Sequence, residues 1–133
     1  RLSMRWGDMP HNWASAECIR YLRHMLVLED GQKLRLLEGL VPADLSERKG
    51  FVLTQTPTRV GRIALEVQPT GLRGWKPRFT RAGGAPPSTV EIRANLAPGA
   101  DLSHVAGAAM RAGKNGSAVI DPAAREWTAY WGA

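Results

Sequence analysis

The hydrophobic positions change period once along the chain, and that change predicts its organisation. Residues 1–11 carry Trp, Met, Gly and Pro without a period and read as a loop. From Trp13 to about Glu29 the spacing is helical. Ile19, Leu22, Met25 and Leu26 share a face, Cys18 and Tyr21 flank it, and Arg20, Arg23, His24 and Val27 turn away. Asn12 suits the N-cap, because its side-chain oxygen can accept an orphan amide of the first turn. Glu17 lies towards the positive end of the dipole, and Gly31 can stop the helix in the left-handed conformation. Such a helix is about 25 Å long at roughly 1.5 Å per residue.

After Gly31 the period becomes two. Leu34 and Leu36 alternate with Lys33 and Arg35, and Phe51 to Thr56 is strand-like. A turn at Thr58-Arg59-Val60-Gly61 leads into Arg62 to Val67, with Ile63, Leu65 and Val67 on one face. Trp75 to Thr80 predicts another strand, which Pro77 should confine to an edge because it lacks a ladder donor. Residues 82–88 form a Gly- and Pro-rich connector. Val90, Ile92, Ala94 and Leu96 then predict one regular strand. Val105 to Met110 and Ala118 to Ile120 are shorter candidates around the turn Gly113-Lys114-Asn115-Gly116, and Trp127, Ala129 and Trp131 close the chain. About seven short strands without intervening helices predict a mainly β fold, a small antiparallel β-sandwich preceded by one amphipathic helix. The expected division is residues 1–30 for the loop and helix and 31–133 for the sandwich.

A lone amphipathic helix must bury its stripe somewhere. The chain starts at Arg1 within a loop, with neither an initiator Met nor a basic-then-apolar leader, so the helix is expected to be the last of a truncated helical domain. Composition narrows the partners. The chain has 133 residues, a net charge of +6 and one cysteine, Cys18, which excludes an internal disulfide and a cysteine-based metal site. No apolar run approaches the roughly 20 residues that span a bilayer, so no membrane partner is expected. Arg59, Arg62, Arg73, Lys76, Arg78 and Arg81 form the densest basic group and read as outward alternates on strands. A solvated basic face is the expectation, and nucleic-acid binding is the alternative.

Reactive and recognising side chains are densest at Trp6, Asp8, His11, Asn12, Trp13 and Glu17. A loop at a helix N-terminus collects amide donors and short polar side chains suited to hydroxyls or an oxyanion. Trp6 or Trp13 can stack on a sugar, and His11 can exchange a hydrogen bond with a hydroxyl. Structural roles compete: Trp6 and Trp13 as core or staple, Asn12 as a cap. His11, His24 and His104 have no metal-like spacing, and Asp101, Ser103 and His104 lie too close in sequence for triad geometry. Neither a metal nor a cofactor is expected. Trp127, Tyr130 and Trp131 suit either an aromatic sugar platform or, at strand period, the core.

The run from Trp6-Gly7-Asp8-Met9-Pro10-His11-Asn12-Trp13 to Arg20 resembles the approach to the last helix of bacterial six-hairpin, (α/α)6-barrel glycoside hydrolases. Leu34 to Pro42 resembles the first strand of the small β-sandwich that follows such barrels in α-L-rhamnosidase-like enzymes. Thr56 to Ile63 resembles the next hairpin, and Val119-Ile120-Asp121-Pro122 with Trp127 to Trp131 resembles the closing strands. The resemblance implies a C-terminal part that closes the barrel and is inactive alone. His11 would touch a carbohydrate substrate, assisted by Trp6, Asn12 and Trp13. The partner would be the upstream helical barrel, whose loops supply the two catalytic carboxyls that glycoside hydrolysis uses. No catalytic residue is therefore expected within this chain. The rival from another class is a free-standing carbohydrate-binding sandwich using Trp75, Trp127 or Trp131.

Overall fold

Strand alternation and turn chemistry resolve into two sheets in a computed structural model, which describes residues 12–45, 47, 49–71, 74–97 and 99–132. Helix α1 (Asn12–Leu26) leads directly into β1 (Val27–Asp30) and β2 (Lys33–Leu36), followed by a 3-10 turn at Pro42–Leu45. The remaining strands are β3 (Phe51–Thr58), β4 (Gly61–Thr70), β5 (Gly74–Ala82), β6 (Thr89–Arg93), β7 (Asn95–Ala97), β8 (Ala100–Ala106), β9 (Met110–Ala112), β10 (Ser117–Ile120) and β11 (Glu126–Gly132). A five-stranded sheet has the order β1-β2-β6-β10-β9. A six-stranded sheet has the order β3-β4-β5-β11-β8-β7. The chain is mainly β, one helix followed by a sandwich-like pair of sheets, as the periods predict. All pairings are antiparallel except β2 with β6, where Leu34 faces Val90 and Leu36 faces Ile92.

Residues two apart on each strand point to one side, and both sheets contribute that side to a single core. Leu34, Leu36, Val90, Ile92 and Ile120 come from the smaller sheet, and Ile63, Leu65, Val67, Phe79 and Trp127 from the larger. Phe79 and Trp127 stack with centroids 5.0 Å apart and planes 12° from parallel. Such a pair combines large buried apolar area with a favourable offset-ring geometry.

Where the elements depart from the expected pattern, tertiary pairing overrides local period. The helix was expected to reach Glu29, but it ends at Leu26, and Val27 begins β1 fully buried opposite Leu36. Orphan carbonyls at the end of α1 are taken by the loop after β2: Leu37 N–H donates to Leu26 O (2.9 Å) and Gly39 N–H to Met25 O (3.2 Å). That approach requires glycine, because a Cβ on Gly39 would come within 2.6 Å of the Met25 Cα. Gly31, at φ 61°, serves the β1–β2 turn instead of a helix end. The sheet thus begins four residues before the expected change at Gly31, and Arg23 and Val27 face the sandwich, not away from it.

Three further expectations are corrected. Pro77 is buried inside β5, an interior strand of the larger sheet. The ladder to β4 runs through Val67 opposite Pro77. Partners towards β11 stop at Thr128–Arg78 and resume at Trp131–Trp75, so the missing donor is absorbed by a gap in one ladder. The regular strand over Val90 to Leu96 bends at Ala94 and passes from one sheet to the other, as β6 and β7. Trp131 Nε1 donates to Ala94 O at 2.8 Å, pinning this corner. The candidate Val105 to Met110 is likewise split, by Gly107 at φ 90°.

Candidate functional site

The end of α1 packs on the sandwich, and the large apolar side chains earlier in the helix are exposed. Met25 and Leu26 pack against the core, whereas Trp13 is 72 %, Ile19 68 %, Tyr21 62 % and Leu22 62 % exposed. Cys18 is also exposed. Spacing of 3.6 residues per turn places Cys18, Ile19, Tyr21 and Leu22 in one sector with Met25 and Leu26. The stripe the sequence predicts is therefore present, and most of it faces solvent. A polar latch orients the helix. Arg23 Nη2 donates to Glu29 Oε2 (2.7 Å) and to Pro57 O (2.9 Å), and Glu29 Oε1 accepts the Arg59 amide (2.7 Å). This ties the end of α1 to the β3–β4 turn. Glu17 lies one turn further in than a dipole role requires, and pairs with Arg20 at 3.3 Å.

Of the residues the sequence assigns to sugar contact, Trp6 and His11 lie outside the described residues, as does the Asn12 side chain. Asp8 lies outside them too. Trp13 stands on the exposed first turn of α1. The aromatic platform is corrected outright: Trp75, Trp127 and Trp131 are 2, 1 and 2 % exposed and belong to the core, because they are the inward alternates of β5 and β11. Only Tyr130 of the closing group faces outward, half-buried, with the His104 ring stacked on it at 4.3 Å and 8°. Lys76 Nζ lies 5.8 Å from the Tyr130 ring centroid. Ser103 Oγ sits 3.2 Å from His104 Nδ1 but donates to Tyr130 O at 2.9 Å, so its hydroxyl is spent on the β8–β11 ladder.

The basic group is divided. Arg73 lies outside the described residues. Arg78 is exposed and bonded to Glu126 at 2.6 Å, and this hydrogen bond raises its pKa. Arg81 is buried, an inward residue where an outward one was expected. Its Nη1 lies within hydrogen-bond reach of the carbonyls of Val60, Gly83, Gly84 and Ala85 and so fastens the connector after β5. Burial, and to a lesser degree repulsion from Arg125, pushes its pKa down.

The smaller sheet carries a concavity of about 610 Å³ on its outer side. Arg35 of β2 and Glu91 of β6 face each other in register on its floor, beside Arg93. The turn after β2 at Glu38 and the β9–β10 turn at Lys114 and Asn115 also line it. Arg35 is held among carboxylates, 3.4 Å from Asp30 and 3.9 Å from both Glu38 and Glu91. Arg93 Nη1 donates to Leu40 O. This groove was not anticipated from the sequence. Its outward residues are visible as strand alternates, but the parallel pairing of β2 with β6, over 50 positions apart, is what joins them.

Among the described residues no group of His, Cys, Asp and Glu is arranged to hold a metal ion, and no helix is long and apolar enough to cross a membrane. No protein-family model, curated protein or solved structure matches the chain.

Proposed function

We propose that the chain acts as the C-terminal part of a bacterial glycoside hydrolase. Helix α1 seats against a helical barrel domain encoded upstream, and the sandwich forms an accessory layer beside it. One observation carries this reading: the apolar sector of α1 is in water along most of its length, with Ile19, Tyr21 and Leu22 each more than 60 % exposed. Burying a side chain of this size stabilises by roughly 1.5–3 kcal/mol, so covering the stripe is strongly favoured. Among the described residues the sandwich packs on the last turn through Met25, Leu26 and the Arg23–Glu29 latch. The resemblance of residues 6–20 to the final barrel helix of six-hairpin glycosidases supplies the identity of the covering partner. In this reading His11, Trp6, Asn12 and Trp13 contribute sugar contacts at the barrel rim, and the barrel supplies the catalytic carboxyls.

The test is to extend the coding sequence upstream of Arg1 and to assay the joined product on a panel of aryl glycosides. Hydrolysis that falls sharply on His11→Ala, together with slower amide exchange across residues 13–22 than in the isolated chain, is the expected result. An upstream region without a helical barrel, or a joined product with unchanged exchange in α1, would overturn the reading.

A further inference from the structure

We infer that the outer groove of the smaller sheet binds an acidic oligosaccharide segment, one bearing carboxylate or sulfate groups. This deepens the proposed function by naming a substrate class, and it rests on that reading. The volume of about 610 Å³ falls within the range of small-ligand sites. Its lining carries four cations, Lys33, Arg35, Arg93 and Lys114, against two carboxylates, Glu38 and Glu91. Both carboxylates lie beside Arg35. With Asp30 counted, 3.4 Å from Arg35, the four cations face three carboxylates. Lys33, Arg93 and Lys114 have no ion pair among the described residues, so the concavity keeps a modest excess of positive charge that favours anions.

The remaining chemistry selects the kind of anion. Among the described residues no aromatic or large aliphatic side chain lines the groove, so these residues offer a neutral sugar no stacking surface. Asn95 and Asn115 present amides that both donate and accept, and Glu38 and Glu91 accept from hydroxyls. An inorganic polyphosphate has no hydroxyl to satisfy those two carboxylates, DNA has none along its chain, and RNA offers a single 2′-hydroxyl per phosphate. A glycan with one charge per sugar and several hydroxyls matches both sets. Lys33 on β2 and Lys114 on the β9–β10 turn would then hold the acidic groups, and the floor would read the hydroxyls.

Titration of the purified chain with an oligogalacturonate, a sulfated oligosaccharide, a neutral cello-oligosaccharide and a short single-stranded RNA tests this, followed by calorimetry and amide NMR shifts. Expected is saturable binding of one or both acidic glycans, with shifts at residues 33–38, 91–95 and 113–117. Which acidic glycan binds separates the carboxylate source from the sulfate source. Replacing Lys33 and Lys114 together by Ala should weaken it by about tenfold or more, the scale of lost charge-assisted hydrogen bonds, whereas Arg62→Ala on the other sheet should not. Both lysines are exposed, so the double variant should retain the native tryptophan near-UV signal. Equal binding of the neutral glycan, tighter binding of RNA, no binding of either acidic glycan, or insensitivity to the lysine pair would each overturn the inference. Glycosidase activity of the joined product is scored separately. Activity without groove binding removes this inference alone, and groove binding without activity removes the glycosidase reading alone.

Discussion

The sandwich and the helix carry the same kind of signal, an apolar periodicity, yet they use it in opposite ways. In the strands the inward alternates are sealed: Ile63, Leu65, Val67 and Phe79 have no exposed surface. In α1 the stripe is equally clear but only Met25 and Leu26 reach the core. The difference teaches that period reports which face is apolar and says nothing of what covers it. For the strands the cover is within the chain. For Ile19, Tyr21 and Leu22 it is the partner proposed above.

The sharpest way to break this comparison is to attack the sealed side. Trp127→Ala removes the ring stacked on Phe79 and opens a cavity between the sheets. The loss should be about 3–5 kcal/mol, a large share of a small domain's stability, seen as a lower urea midpoint. Trp127 also has a buried indole N–H without a hydrogen-bond acceptor among the described residues, so Trp127→Phe should cost distinctly less than Trp127→Ala. Equal losses in the two variants would mean that ring packing is not what Trp127 supplies.

Arg81 tests a polar version of sealing. Its guanidinium holds the connector by its carbonyls, yet desolvation works against the charge, as its lowered pKa records. Arg81→Met keeps the apolar stem and should cost about 1–3 kcal/mol. Amide exchange should quicken across residues 82–88 while β4 stays protected. Uniform loosening of the sheet would contradict a local clasp.

At the junction of the two regions, Glu29→Gln keeps the acceptor for the Arg59 amide and removes the charge facing Arg23. The pair is partly exposed, with side chains 26 and 21 % accessible, which limits the loss to about 1 kcal/mol or less. The readout is faster exchange in the last turn of α1. An unchanged helix end would show that Met25 and Leu26 alone hold it.

Inward alternates such as Ile63, Leu65 and Val67, and the burial of Trp127 and Trp131, follow from period two, because a pleated strand has only two sides. The end of α1 was not legible. Val27 to Asp30 continues a helical pattern locally, and only pairing with β2 makes it a strand. Pro77 misled because a missing donor matters to one ladder only, and β5 has two neighbours. The break at Ala94 was hidden because Leu96 keeps its alternation while changing sheets. The outer groove was invisible for the same reason as the parallel β2–β6 pair: residues such as Arg35 and Glu91 become neighbours only through topology. The assigned sugar contacts, Trp6 and His11, are legible as motif alone.

The smallest expected effect is the most discriminating. Leu22→Ser in α1 removes an apolar side chain that the sandwich does not cover, so the isolated chain should change by no more than about 0.5 kcal/mol. The same substitution in a sealed position, for example Leu65→Ser, should cost several kilocalories, since it leaves both a cavity and a buried hydroxyl. In the joined product Leu22→Ser should instead become costly if α1 seats against the proposed barrel. A helix stripe that costs nothing alone and much in company is the signature of an interface. If Leu22→Ser destabilises the isolated chain as strongly as Leu65→Ser does, α1 is part of the sandwich core, and the contrast between the two regions collapses.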